Sequence, residues 1–104
     1  MIKFNFFKSE SMLTGFEVSG HAMFDEYGKD IICAFVSSAC LMTANTVTEV
    51  MGIKSDAVAD DGYMKLQIKD SHSTAQDILN GLLLHMTELE KDYPKNVKVI
   101  ISEV

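Results

Sequence analysis

The apolar residues of this chain change their repeat four times, and each change marks a change of backbone. A repeat of two is the period of a strand, and spacings of three and four are the period of a helix face. Ile2, Phe4 and Phe6 share one face of a first strand over residues 2–7, and Phe16 and Val18 one face of a second over 13–19. The polar stretch 8–12 suits a hairpin connection. From Ile31 the spacing becomes helical: Ile32, Val36, Cys40, Thr43, Val47 and Val50 form one stripe of a helix over 31–51,. Asp30 is placed as its N-cap and Gly52 as its stop,. Alternation returns in a hairpin over 56–60 and 63–69 around Asp61-Gly62, with Met64, Leu66 and Ile68 facing inward and Lys65, Gln67 and Lys69 facing water,. Ser73 and Gln76 make a capping-box pattern that opens a second helix,. Its stripe is Ala75, Ile78, Leu79, Leu82, Leu83, Met86 and Leu89, its weak point the turn-favouring pair Asn80-Gly81, and its end Pro94,. Val97, Val99 and Ile101 alternate in a last strand.

The order β-β-α-β-β-α-β, with two amphipathic helices, predicts a two-layer α+β domain in which both helices pack on a largely antiparallel sheet. The order of strands within the sheet does not follow from this pattern. At 104 residues the chain is expected to form one domain, residues 1–104, around one core,.

Charge narrows the partners. The formal net charge is −6, and all nine basic residues are lysines. Without arginine there is no planar fork for bidentate phosphate or guanine recognition, so no direct nucleic-acid partner is expected, while a basic protein partner suits the sign. The apolar run 81–84 is far too short to span a bilayer, and the polar residues of the first five positions do not resemble a secretory leader,. No membrane association and a cytoplasmic location are expected. Cys33 and Cys40 lie seven residues apart in one helix. Two turns separate their Cα atoms by roughly 10 Å, whereas a disulfide needs less than about 7 Å. Two free thiols fit a reducing compartment.

The stretch that carries chemistry is Gly20-His21-Ala22 followed by Asp30-Ile31-Ile32-Cys33-Ala34. A cysteine attacks as the thiolate, and two devices favour that anion: the positive end of a helix and a neighbouring histidine. With Asp30 as N-cap, Cys33 falls in the first turn, and His21 leaves the end of a strand just before the loop that feeds this helix. Spacing alone leaves a second reading open, because Cys33 also falls on the apolar stripe with Val36 and Cys40, and free cysteines are among the most commonly buried side chains. Asp30 could cap the helix or orient His21, and Ser37, one turn beyond Cys33, could reach the same pocket,. Cys40 reads as core, His72 as exposed and His85 as partly buried at the edge of its helix stripe. No metal site is expected, since no paired C-x-x-C or H-x-x-x-H element is present,.

Gly20-His21-Ala22, then Gly28-Lys29-Asp30-Ile31-Ile32-Cys33-Ala34-Phe35-Val36-Ser37-Ser38, and further on Thr43-Ala44-Asn45, closely resembles the signature of the ribosomal-processing cysteine proteases. The resemblance implies a homodimeric α+β fold with no cofactor. It implies an endopeptidase that removes a short N-terminal extension from large-subunit ribosomal protein twenty-seven. Carried over by position, His21 matches the family's catalytic histidine and Cys33 its catalytic cysteine. Two positions depart from the pattern: Ile32 stands where valine is common, and Phe35 where a small residue is usual, which bears on the pocket and the cleavage sequence. Backbone N–H groups at the helix start would be the natural oxyanion hole. The loop with Phe24, Tyr27 and Gly28 is expected to close over substrate,. The competing functions are a non-catalytic ribosome-associated binding dimer with a buried Cys33, and a thiol redox sensor.

Overall fold

The computed structural model describes residues 1–21 and 30–104. In chain order these form β1 (Ile2–Ser9), β2 (Met12–Ser19), α1 (Ile31–Asn45), β3 (Ser55–Asp60), β4 (Tyr63–Ile68), α2 (Gln76–Asp92) and β5 (Val97–Glu103). One π-helical turn, Thr46–Val50, extends α1, and one 3-10 turn, His72–Ala75, leads into α2. The expected order and fold class hold.

The five strands lie in the order β3-β4-β2-β1-β5. Pairing is antiparallel except between β1 and β5, which run parallel. A parallel pair needs a crossover connection, and α2 serves as one between β4 and β5.

Register explains the core. Phe4 faces Val18 and Phe6 faces Phe16 across β1 and β2, and Phe16 faces Leu66 across β2 and β4, so these side chains share one face. The rings of Phe4 and Phe6 stack at 4.7 Å, with Phe16 tilted against Phe4 at 5.4 Å. Onto that platform α1 lays Ile32, Val36, Cys40, Thr43 and Val47, and α2 lays Leu79, Leu82 and Met86. Large apolar side chains sealed from water contribute about 1.5–3 kcal/mol each, which is why the helices dock here. The opposite face of the sheet is polar: Tyr63 donates to Glu17 at 2.5 Å, Ser102 donates to Asn5 at 2.9 Å, and Lys65 sits over the Phe7 ring. That polarity is what allows a two-layer molecule rather than a sandwich.

Two local expectations are corrected, and the helix expected through Asn80-Gly81 holds. Val50 is 80% exposed, because the wider π turn swings it off the stripe after Val47,. The Ser73–Gln76 capping box does not form. Gln76 instead reaches across to β2, accepting the Leu13 N–H at 2.9 Å and donating to the Leu13 carbonyl at 2.7 Å. Its amide thereby satisfies the strand just past the bulge at Phe7/Lys8,. Asn80-Gly81 stays helical, since Leu79 and Leu82 on either side are both buried and their packing overrides local preference,.

The longest apolar helical run is Ile31–Val50, not residues 81–84. It is 20 residues long with a mean hydropathy of 1.6, enough by length and composition to cross a bilayer. Its buried stripe packs it on the sheet as a core helix. Only 28% of its most apolar stretch is buried, however, so most of this helix, whose one charged residue is Glu49, faces outward.

Candidate active site at the start of helix α1

Two chain segments carry the candidate residues. The first is the end of β2. Gly20 adopts φ +92°, and a Cβ there would lie 2.4 Å from the Met1 carbonyl oxygen, so only glycine lets β2 pass the start of β1,. The Gly20 N–H donates to the Gly62 carbonyl at 2.9 Å, which ties the end of β2 to the β3–β4 turn. His21 follows immediately, half-buried, with its imidazole lying on Gly62. A Cβ added to Gly62 would meet His21 Nε2 at 3.0 Å and Cε1 at 3.4 Å.

The second segment is the start of α1. Asp30 has extended backbone (φ −75°, ψ 103°) and is only 8% exposed. Its Oδ1 accepts the N–H of Ile32 at 3.0 Å and of Cys33 at 3.1 Å, as an N-cap does,. Ile32 is wholly buried and anchors the first turn, so the methylene it carries beyond valine is housed in the core. Cys33 comes next, half-buried at the margin of the core. The capping role expected of Asp30 therefore holds, and its carboxylate is bonded to the backbone of the cysteine itself.

The same cap corrects the oxyanion hole. The Ile32 and Cys33 amides both donate to Asp30, and the Ala34 amide donates to the Asp30 carbonyl at 3.2 Å. The helix start as folded does not offer these donors to a substrate oxyanion.

The two cysteines differ sharply. Cys40 is fully buried, and burial pushes its thiol up to about 12, which keeps it protonated and inert,. Ser37 lies exposed one turn beyond Cys33. Phe35 is two residues on from Cys33, ~200° around the helix, so its ring leaves on the outward face and does not crowd the cysteine. Phe24, Tyr27 and Gly28 lie outside the described residues.

The other histidines reverse their expected places. His72 is half-buried with Nε2 3.1 Å from the Ile68 carbonyl oxygen, and His85 is exposed on α2. The 3-10 turn before α2 folds His72 back onto the end of β4, while His85 lies roughly 100° around the helix from the buried Met86, just beyond the stripe,. Among the described residues no three histidine, cysteine, aspartate or glutamate side chains come together as metal ligands do. Gly62 is the functional residue the sequence leaves hidden: Asp61-Gly62 signals a turn, but nothing in the sequence tells that the His21 ring lies against it.

Comparison with known proteins agrees with a thiol site. A family model described as "Cysteine protease Prp" matches residues 1–98. A "Ribosomal processing cysteine protease Prp" from Bacillus subtilis is 30% identical over 94 residues, covering 84% of each chain. A crystal structure of the ribosomal processing protease Prp from S. aureus with a covalently linked product peptide superposes with a TM-score of 0.89 at 27% identity, covering 98% of this chain and all of that one. A second structure of the S. aureus protease, with a substrate peptide, gives 0.84 at 25% identity with the same coverage.

Proposed function

We propose, for a chain that belongs to the Prp family of ribosomal-processing cysteine proteases and is a hydrolase, that Cys33 is the nucleophile and His21 its general base and acid. The observation that carries this assignment is the contrast between the thiols: Cys33 is half-buried in the first turn of α1, whereas Cys40 is sealed and held neutral. A binding dimer with a buried Cys33 conflicts with the same observation. His21 takes the Cys33 proton, and the thiolate adds to the scissile carbonyl. The amide nitrogen leaves with a proton from His21, and water then releases the acyl group from sulfur. Asp30 acts by fixing the backbone of the nucleophile. Ser37 is a secondary candidate for substrate contact, as are Phe24, Tyr27 and Gly28 of the segment between β2 and α1.

The substrate on this account is the N-terminal extension of large-subunit ribosomal protein twenty-seven, a basic partner for a chain of net charge −6,. Two relatives from the comparison are ribosomal processing proteases by name, one of them holding a product peptide. The reaction belongs in the cytoplasm, where cysteines outside any disulfide, as Cys33 and Cys40 are, persist,. Mass spectrometry of a peptide copying that extension, after incubation with purified protein, tests the substrate. Two fragments from one internal cut support it, and an intact peptide rejects it.

The working unit is a homodimer. From Ile31 to Thr48 the chain carries no charge. Ile31, Phe35, Leu41 and Met42 are each 47–56% exposed. Ile31, Phe35 and Met42 fall on the side of α1 away from the sheet. An uncharged apolar face of this kind, with nothing of its own chain over it among the described residues, suits a second copy.

A further inference from the structure

We infer that Gly62 is a positioning residue for the proposed base: it is the wall that sets where the His21 imidazole rests. The inference relies on His21 being that base. Three contacts make the wall rigid relative to His21. The Gly62 carbonyl accepts the N–H of Gly20, the residue just before His21, at 2.9 Å. Tyr63, the residue just after Gly62, donates its hydroxyl to Glu17 on β2 at 2.5 Å, and that bond also holds the phenol above its ordinary titration range. Strand register continues the clamp, with Tyr63 facing Ser19 across β4 and β2. The turn and the histidine backbone are therefore parts of one unit.

Onto that unit the imidazole packs with no room for a side chain. Any Cβ at position 62 would stand 3.0 Å from Nε2, closer than carbon and nitrogen ordinarily approach. The turn cannot retreat without breaking the Gly20 and Tyr63 bonds, so the ring would move by a few tenths of an ångström or rotate. A base works over a heavy-atom window of about 2.6–3.2 Å, and misplacement by ~1 Å can cost about a hundredfold. A small displacement of Nε2 is thus large on the scale that matters. The positive φ of Gly62, +70°, is a separate reason for glycine, and Gly52 shares it at +65° with nothing within 4 Å of its would-be Cβ. The two glycines separate backbone strain from contact with the ring.

The test compares Gly62→Asn with Gly52→Asn, since asparagine tolerates the left-handed region and each variant should still fold. Both are expected to lose similar thermal stability. Only Gly62→Asn should shift the His21 ring resonances in NMR spectra, alter the pH profile of Cys33 alkylation by iodoacetamide, and lower kcat on the extension peptide about tenfold with KM within about twofold. Unchanged His21 resonances in Gly62→Asn overturn the inference, as does an equal kcat loss in Gly52→Asn. Should the parent leave the peptide uncut, the substrate assignment fails, yet the ring resonances still decide the role of Gly62.

Discussion

The Asp30 carboxylate accepts the Cys33 amide at 3.1 Å, so the residue that starts helix α1 also holds the backbone of its thiol. Capping and positioning are here one interaction. Asp30→Ala should cost about 1 kcal/mol of stability, and the first turn should fray around Cys33. Asp30→Asn keeps an oxygen acceptor and should lose less. Urea unfolding midpoints measured beside peptide cleavage rates check both, with alanine falling below asparagine in each.

Cys40 sets an alkaline limit. Burial raises its thiol from 9.0 to about 12, so the folded chain holds this proton more tightly than the unfolded chain. Its contribution is complete below about pH 9 and is lost as pH rises toward 12,. Cys40→Ala should be less stable at neutral pH because of the cavity, and should show a shallower loss between pH 9 and 12,. Unfolding midpoints measured across that window compare the slopes.

Gly81 lies exposed inside α2 with open space where a Cβ would go. Gly81→Ala should therefore stabilise the protein by about 0.5–1 kcal/mol through helix propensity alone. For a domain of this size that is a rise of several degrees, on the order of 4–8 °C per kcal/mol. A thermal melt suffices to measure it.

The outward face of α1 should be the dimer contact. A charge at its centre, as in Phe35→Glu or Met42→Glu, should convert the dimer to monomer in sedimentation velocity while leaving the circular dichroism spectrum intact. A parent protein that sediments as a monomer contradicts the assignment.

What the sequence made legible was local. Element order followed from periodicity, and the Asp30 cap and the first-turn place of Cys33 followed from a cap residue three positions before a cysteine. The long-range relations did not follow. Nothing in residues 2–9 or 97–103 says that β1 and β5 run parallel side by side, because pairing is decided by the crossover of α2. Gln76 looks the same in sequence whether it closes a capping box or crosses to Leu13. The cluster of Gly20, His21 and Gly62 was equally hidden, since it joins residues from two hairpins. The charge-free run 31–48 stands in the sequence, but apolar residues all around a helix do not say which side meets the sheet and which is left exposed,.

The central claim is that the Cys33 sulfur attacks with the help of the His21 ring. Cleavage of the ribosomal extension peptide by the parent, Cys33→Ala and His21→Ala proteins, each verified as folded, tests it most directly. Cys33→Ala should have no measurable kcat, and His21→Ala should fall by about a hundredfold to ten-thousandfold. Either variant cutting the peptide at the parent's rate would contradict the assignment.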